Sequence, residues 1–199
     1  SGTGNITDND AAPVFSVADA SISEGGLMSF TVTRTGDAQA AQSVNFATSI
    51  AGGNSASSGD FSATSGSLSF AQGETSKTFT VQTTHDTLFE GNETFTVTLS
   101  GATHGATVSA TNGAATGTIV DDDGTPTITH VGNGSIDSVT VAEGSDAVFT
   151  VNLSNAAATP TSFTLALANG SASAPGDYTT ALSDASFSNG VTISGSTIT

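Results

Sequence analysis

Three carboxylates fall within eight residues of the stretch HDTLFEGNETFTVTL (85–99): Asp86, Glu90 and Glu93, with Gly91 between the two glutamates. In this sequence they have almost no cationic side chains to meet, because two Lys and Arg in total stand against eighteen Asp and Glu. Oxygen donors at such density suit a hard cation, which takes carboxylate and carbonyl ligands in irregular geometry. Paired carboxylates also serve glycosidases, but those enzymes flank them with an aromatic sugar-binding cleft, and this chain has no Trp and one Tyr. The second half of the stretch alternates, with Phe95, Val97 and Leu99 on one face and Thr94, Thr96 and Thr98 on the other. The acids therefore stand at the mouth of a strand.

Other chemistry is not encoded. No segment fits the EF-hand loop, since DDDGTP (121–126) has contiguous acids and no closing Glu. GNGSID (132–137) lacks the leading Gly pair of a nonapeptide calcium repeat and occurs once. No G-x-S-x-G elbow is present for a serine hydrolase, and no enzymatic activity is expected. His85, His104 and His130 sit in different loops without shared spacing, a pattern that does not suggest a zinc site.

Composition narrows the rest. A formal charge of −16 in 199 residues leaves nothing to neutralise phosphates, so nucleic acid and anionic lipid are excluded as partners. The chain is not of the disordered acidic kind, because it is 36% hydrophobic with eleven Phe, enough for a sandwich core. Cysteine is absent, and a metal is one staple that replaces disulfides in a secreted domain. No stretch is long and apolar enough for a membrane span, and no Sec-type leader opens the sequence, which reads as a segment of a longer chain.

The elements that must position the acids are strands. LMSFTVTR (27–34), SVNFATSI (43–50), GSLSFA (66–71), SKTFTVQT (76–83), ETFTVTL (93–99) and ATGTIVD (115–121) alternate at period two, separated by Gly-, Asn- and Ser-rich breaks. No amphipathic helix is expected. Many short strands with such turns predict an all-β fold built as a sandwich or barrel.

The chain also repeats. TGNITDND (3–10) is echoed by TGTIVDDD (116–123), SISEGGLMSFTVTR (21–34) by VTVAEGSDAVFTVNLS (139–154), and SSGDF (57–61) by APGDY (174–178). A period of roughly 110 residues is one whole sandwich module. The expected organisation is a C-terminal strand of a preceding module (1–10), a complete module (11–123) and the N-terminal part of a second, related one (124–199). The last part has no counterpart of HDTLFEGNETFTVTL; its remaining strands are expected beyond residue 199 or in a separate segment.

SISEGG, SGDF, HDTLFEGNETFTVTL and TIVDDD, in that order, resemble the motifs of a Calx-beta domain, the calcium-binding sandwich module of sodium–calcium exchangers, integrin β4 and many long bacterial surface proteins. The resemblance covers 11–123 in full and the second repeat over its first half. It implies tandem immunoglobulin-like Greek-key sandwiches, with Ca2+ held at one tip by Glu24, Asp60, Asp86, Glu90, Glu93, Asp121, Asp122 and Asp123. Eight charges suit two or more ions. Glu143 and Asp177 occupy the matching positions of the second repeat, whereas Asp8 and Asp10 would serve a preceding module. One departure stands out. Some members carry an acid directly before Asp86, where this chain has His85, a poor ligand for a hard cation. The resemblance then implies fewer ions or a weaker outer site, with at most the His85 carbonyl contributing. Asp19, Asp37 and Glu74 read as solvated loop residues.

Together these readings predict a monomeric extender module of a large secreted bacterial surface adhesin. Its partners are calcium ions and neighbouring modules of the same chain, and it neither binds nucleic acid nor inserts into a membrane. The alternative is a carbohydrate- or peptide-binding accessory module of a secreted enzyme or an adhesin tip, which would need Tyr178 and Phe187 on an open surface. A regulatory calcium sensor would need a membrane protein as parent.

Overall fold

The alternation read along the chain is realised strand for strand in the first half of the computed structural model, which describes residues 2–5, 7, 9–132, 139–164, 171–172, 174–177, 193–194 and 197–198. Two compact units partition the chain: Ser1–Asp86 with Gly91–Asp122, and Thr87–Glu90 with Asp123–Thr199. No described residue is helical.

The first unit is a two-sheet sandwich. Strands β1 (Val14–Val17), β3 (Leu27–Thr35), β6 (Ser76–Gln82) and β9 (Thr107–Val108) form one sheet in the order β6-β3-β1-β9. The other holds β2 (Ala20–Ser23), β4 (Gln42–Ser49), β5 (Ser65–Phe70), β8 (Glu93–Ser100) and β10 (Ala114–Val120) in the order β2-β10-β8-β4-β5. The six expected strands appear within about a residue of their predicted bounds, as the sensitivity of pairing to inward and outward alternation requires. The short strand β9 was not foreseen. Two residues carry no alternation to read, and the strand exists because Thr107–Val108 lies parallel to Val14–Phe15.

The inward faces make one core. Met28, Phe30 and Val32 of β3, Phe79 and Val81 of β6, Phe46 of β4 and Phe95, Val97 and Leu99 of β8 are all buried. Phe79 stacks on Phe46 at 3.8 Å and on Phe30 at 5.4 Å, while Phe95 meets Phe30 edge-on at 5.9 Å. Phe61 stacks on Phe95 at 4.2 Å and so anchors the long loop after β4 to the core.

Register decides which strand ends share a tip. Parallel pairing aligns Ser23 of β2 with Val120 of β10, so Glu24 and Asp121 leave the sheet side by side. Antiparallel pairing sets Glu93, the start of β8, opposite Ile119. In the facing sheet Gln82, the end of β6, lies opposite Leu27. The far end of the same sheet holds both basic residues of the chain. Arg34 is buried and donates to the carbonyls of Ala40 and Ala71 (2.9 Å each) and to Gln42 Oε1 (2.9 Å). Lys77 pairs with Glu74 at 2.8 Å. That bond, and then the Ala71 N–H, hold the Glu74 carboxyl below its ordinary value.

The second unit is described by itself. Strand β11 (Ile128–Gly132) pairs antiparallel with β12 (Thr150–Leu153), and β14 (Phe163–Thr164), β15 (Ile193–Ser194) and β16 (Thr197–Ile198) form a small sheet. Strand β7 (Leu88–Phe89) lies parallel to β13 (Ala156–Ala157), and Ala158 N–H donates to Phe89 O at 3.0 Å. No described residue of 1–10 is in a strand; a ladder needs a partner, and the reading as a tail strand assigned that partner to a different module.

Truncating the ring that joins the two sheets tests this account of the core. Phe95→Ala is expected to cost about 3–5 kcal/mol in denaturant unfolding, whereas the outward-facing Thr80→Ser changes stability by less than about 0.5 kcal/mol.

Candidate metal centre

The tip is assembled by backbone hydrogen bonds around Gln82–Asp86. Thr84 N–H donates to Asp60 O at 2.8 Å, and Thr84 O accepts from Gly25 N–H at 3.0 Å. One residue thus ties the Asp60 loop and the Glu24 turn to the segment that carries His85 and Asp86. Thr83 reinforces the tie: its N–H (3.0 Å) and its buried Oγ1 (2.8 Å) both donate to Gly26 O. Gly25 has φ +74°, and a Cβ there would lie 2.8 Å from His85 Cβ, so only glycine permits this approach.

Glu24 is the hub. Its N–H donates to Val120 O at 3.0 Å, fixing it to the end of β10. Its Oε2 accepts the Asp86 N–H at 3.1 Å and its Oε1 accepts the Asp122 N–H at 3.3 Å. Asp121 Oδ2 accepts the N–H of Gly91, whose φ of +76° turns the chain back into β8. Asp60 Oδ2 accepts the Ser57 N–H. Carboxylate oxygens of Glu24 and Asp86 come within 4.8 Å of each other, as do those of Asp60 and Glu93. Glu24, His85 and Asp122 form a third group with the same spacing.

Six of the candidates, Glu24, Asp60, Asp86, Glu93, Asp121 and Asp122, therefore belong to one unit and one tip. Glu90 and Asp123 fall in the second unit, each directly joined through the chain to a residue of that tip, Gly91 and Asp122. Glu143 and Asp177 are exposed turn residues, and among the described residues neither belongs to a three-ligand group. Asp8, Tyr178 and Phe187 lie outside the described residues. The acids read as loop residues accept main-chain N–H groups elsewhere: Asp19 accepts the distant Thr116 N–H at 2.7 Å, while Asp37 accepts Gln39 N–H at 2.8 Å and Glu74 accepts Ala71 N–H at 2.8 Å within their own turns. Thr83 and Thr84 escaped notice in the sequence. For Thr83 a signal was present, because it continues the inward series Phe79, Val81 as a polar residue where an apolar one belongs.

The donor set fits a hard divalent cation. Oxygens predominate, and the turns that carry them are held in place by hydrogen bonds to main-chain groups. Like charges about 4 Å apart repel by about 1 kcal/mol in bulk water and by about 4 kcal/mol at the effective dielectric near a protein surface. Both basic side chains of the chain are engaged at the opposite end of the sheet. No Lys or Arg stands at this tip, where His85 is the basic side chain beside Glu24 and Asp122, so a diffusible cation is the natural partner for the remaining carboxylates.

A β-sandwich with hard oxygen donors gathered at one tip defines a calcium-binding type of module. The family comparison agrees: the Calx-beta domain model matches residues 8–123 and 135–199. The chain belongs to the Calx-beta family of calcium-binding domains. Among solved structures it resembles the apo-form Calx CBD1 domain, with 26% identity and a TM-score of 0.51 over 57% of this chain and 100% of that one. It also resembles the calcium binding domain CBD12 of CALX1.1, with 27% identity and a TM-score of 0.50 over 58% of this chain and 49% of that one. This chain therefore spans about half the length of that second structure. No curated protein matches.

Glu24→Gln keeps the size of the hub, removes its charge and turns one of its two accepting oxygens into a donor, so one of the bonds from Asp86 and Asp122 is lost with the charge. It is expected to lower calcium affinity at least tenfold by calorimetry and to leave the metal-free fold intact. Thr83→Val, which deletes only the Oγ1 bond to Gly26, should weaken binding by a smaller factor, in line with about 1 kcal/mol for one hydrogen bond. Asp37→Asn should leave the titration unchanged.

Proposed function

We propose that this chain is a calcium-stiffened extender, part of a large secreted bacterial surface adhesin in which repeated sandwich modules hold a binding domain away from the cell. Residues 11–123 are one complete module and 124–199 the first part of a related one. The observation that carries this reading is where the chain passes between its two compact units: at Asp86–Thr87, Glu90–Gly91 and Asp122–Asp123. Every passage includes a candidate ligand.

Glu24, Asp60, Asp86, Glu93, Asp121 and Asp122 would hold the ions within the first unit; Glu90 and Asp123, which the resemblance also implies as ligands, belong to the second. Bound calcium supplies positive charge and nothing else; no nucleophile or acid–base step is involved. The protein's part is to hold the oxygens in place. Thr84 keeps two ligand turns on one backbone, Glu24 orients the Asp86 and Asp122 segments, and Gly91 returns the chain to β8 under the grip of Asp121. After Asp123, Gly124 and Pro126 follow directly, and Pro126 restricts Thr125 to extended geometry, so few soft dihedrals remain at the junction. Near-absence of Lys, Arg and Cys, with abundant Thr, Ser, Gly and Ala, supports the secreted bacterial setting.

Melting with calcium and again with excess chelator checks the stapling role. One site at a hundred times its Kd adds about 2.7 kcal/mol, so a clear rise in midpoint is expected, and an unchanged midpoint contradicts it. The extender role has its own test. In small-angle scattering of a multi-module chain, calcium should lengthen the particle and narrow its range of shapes, and Asp123→Ala should blunt the change at its own junction. Identical scattering with and without calcium would reject the extender even if the ion binds.

A further inference from the structure

The imidazole that takes the place of an acid stands among ligands. His85 Nδ1 lies 3.5 Å from Asp122 Oδ1 and 3.8 Å from Glu24 Oε2, and one donor atom from each of the three residues lies within 4.8 Å of the others. Neither distance is that of a hydrogen bond, which closes to about 2.7–3.2 Å. Both approach the edge of a tetrahedral zinc site, where ligands about 2.0–2.1 Å from the metal stand about 3.3 Å apart.

We propose that Glu24, His85 and Asp122 form a binding position for a borderline divalent transition ion of the Zn2+ class, distinct in preference from the calcium sites beside it. Donor chemistry makes the distinction. Imidazole suits Zn, Cu and Ni, whereas calcium and magnesium select oxygen, so one nitrogen among carboxylates changes which ion the position favours. Two carboxylates and one imidazole supply three protein ligands, and the fourth tetrahedral place is left for water.

The three groups are already oriented. Both Glu24 oxygens accept main-chain N–H bonds, from Asp86 and Asp122, the kind of outer support that fixes a ligand's direction. The root of the His85 side chain rests against Gly25, where any Cβ would collide with it. Entry is open, since His85 is 58% and Asp122 49% exposed while Glu24, at 11%, forms the floor. The three histidines share no spacing in the sequence, which by itself does not suggest zinc; one histidine suffices when the fold delivers two carboxylates to it. Because Glu24 and Asp122 also belong to the calcium reading, the two ions compete for them. The zinc position does not depend on that reading.

The test uses the full chain stripped of metal. Calorimetry with Zn2+ alone should show one saturable site, and His85→Ala should weaken it at least tenfold, with His104→Ala binding as the wild type does. Imidazole nitrogen NMR should show the His85 Nδ1 signal, and neither His104 nor His130, shifting with zinc. Backbone amide NMR of metal-free His85→Ala, unchanged from wild type except beside the substitution, reports that the tip is still folded. Zinc should lower the calcium affinity of the wild type and leave that of His85→Ala unaffected. Absence of zinc binding to the wild type, or equal zinc affinity in His85→Ala, overturns the proposal. A chain that binds zinc in this way but not calcium would overturn the calcium reading and leave this one standing.

Discussion

The carboxylate of Glu24 holds the tip together. It receives the N–H of Asp86 on one oxygen and that of Asp122 on the other, while its own N–H reaches β10 at Val120. Two segments distant in sequence, at Asp86 and at Val120–Asp122, converge on this one residue. Each of these bonds is modest alone, about 0.5–1.5 kcal/mol net for an ordinary hydrogen bond and more for one to a charged group. Their effect is geometric. They bring negative groups together against their own repulsion and keep them there, so the protein stores a demand for positive charge at one end of the sandwich.

The core is what allows that demand to stand. Stacked rings from both sheets, Phe46, Phe79, Phe30, Phe95 and Phe61, bury apolar surface worth roughly 1.5–3 kcal/mol per side chain. Phe61 belongs to both parts, since the residue before it is Asp60. Charge is sorted along the same axis. Arg34 and Lys77, the whole cationic inventory, serve the opposite end, where one satisfies carbonyls and the other pairs with Glu74. A lysine or arginine at the acidic tip would satisfy it permanently; their absence there leaves the site to a diffusible ion. His85 modifies this in kind, because its nitrogen is a softer donor than the oxygens around it.

Much of this was legible in the chain. Met28, Phe30 and Val32 against Ser29, Thr31 and Thr33, or Phe95, Val97 and Leu99 against their threonines, announce strands because side chains alternate across a pleated sheet. Gly91, set between Glu90 and Asn92, announces a turn. The short strands β7 and β9 were not legible, since a two-residue strand carries no periodicity and owes its existence to a distant partner. Thr83 was half legible: its inward position could be counted, but its acceptor, Gly26, lies in a turn that only folding brings near.

What the sequence determined by itself was the list: which segments are strands, which residues are core, which acids lack cationic partners, and that the motifs recur. These follow from local periodicity and from composition, which need no knowledge of neighbours. Tertiary structure decided the grouping. Whether Glu24 meets Asp86 or Asp122 depends on the parallel register of Ser23 with Val120 and on the Thr84 bonds to Asp60 and Gly25. It likewise separated Asp19, Asp37 and Glu74, which accept main-chain N–H groups elsewhere, from acids of the same type that converge on the tip. Long-range register sets such meetings, because a carboxylate's role depends on the few ångströms around it and not on its own identity.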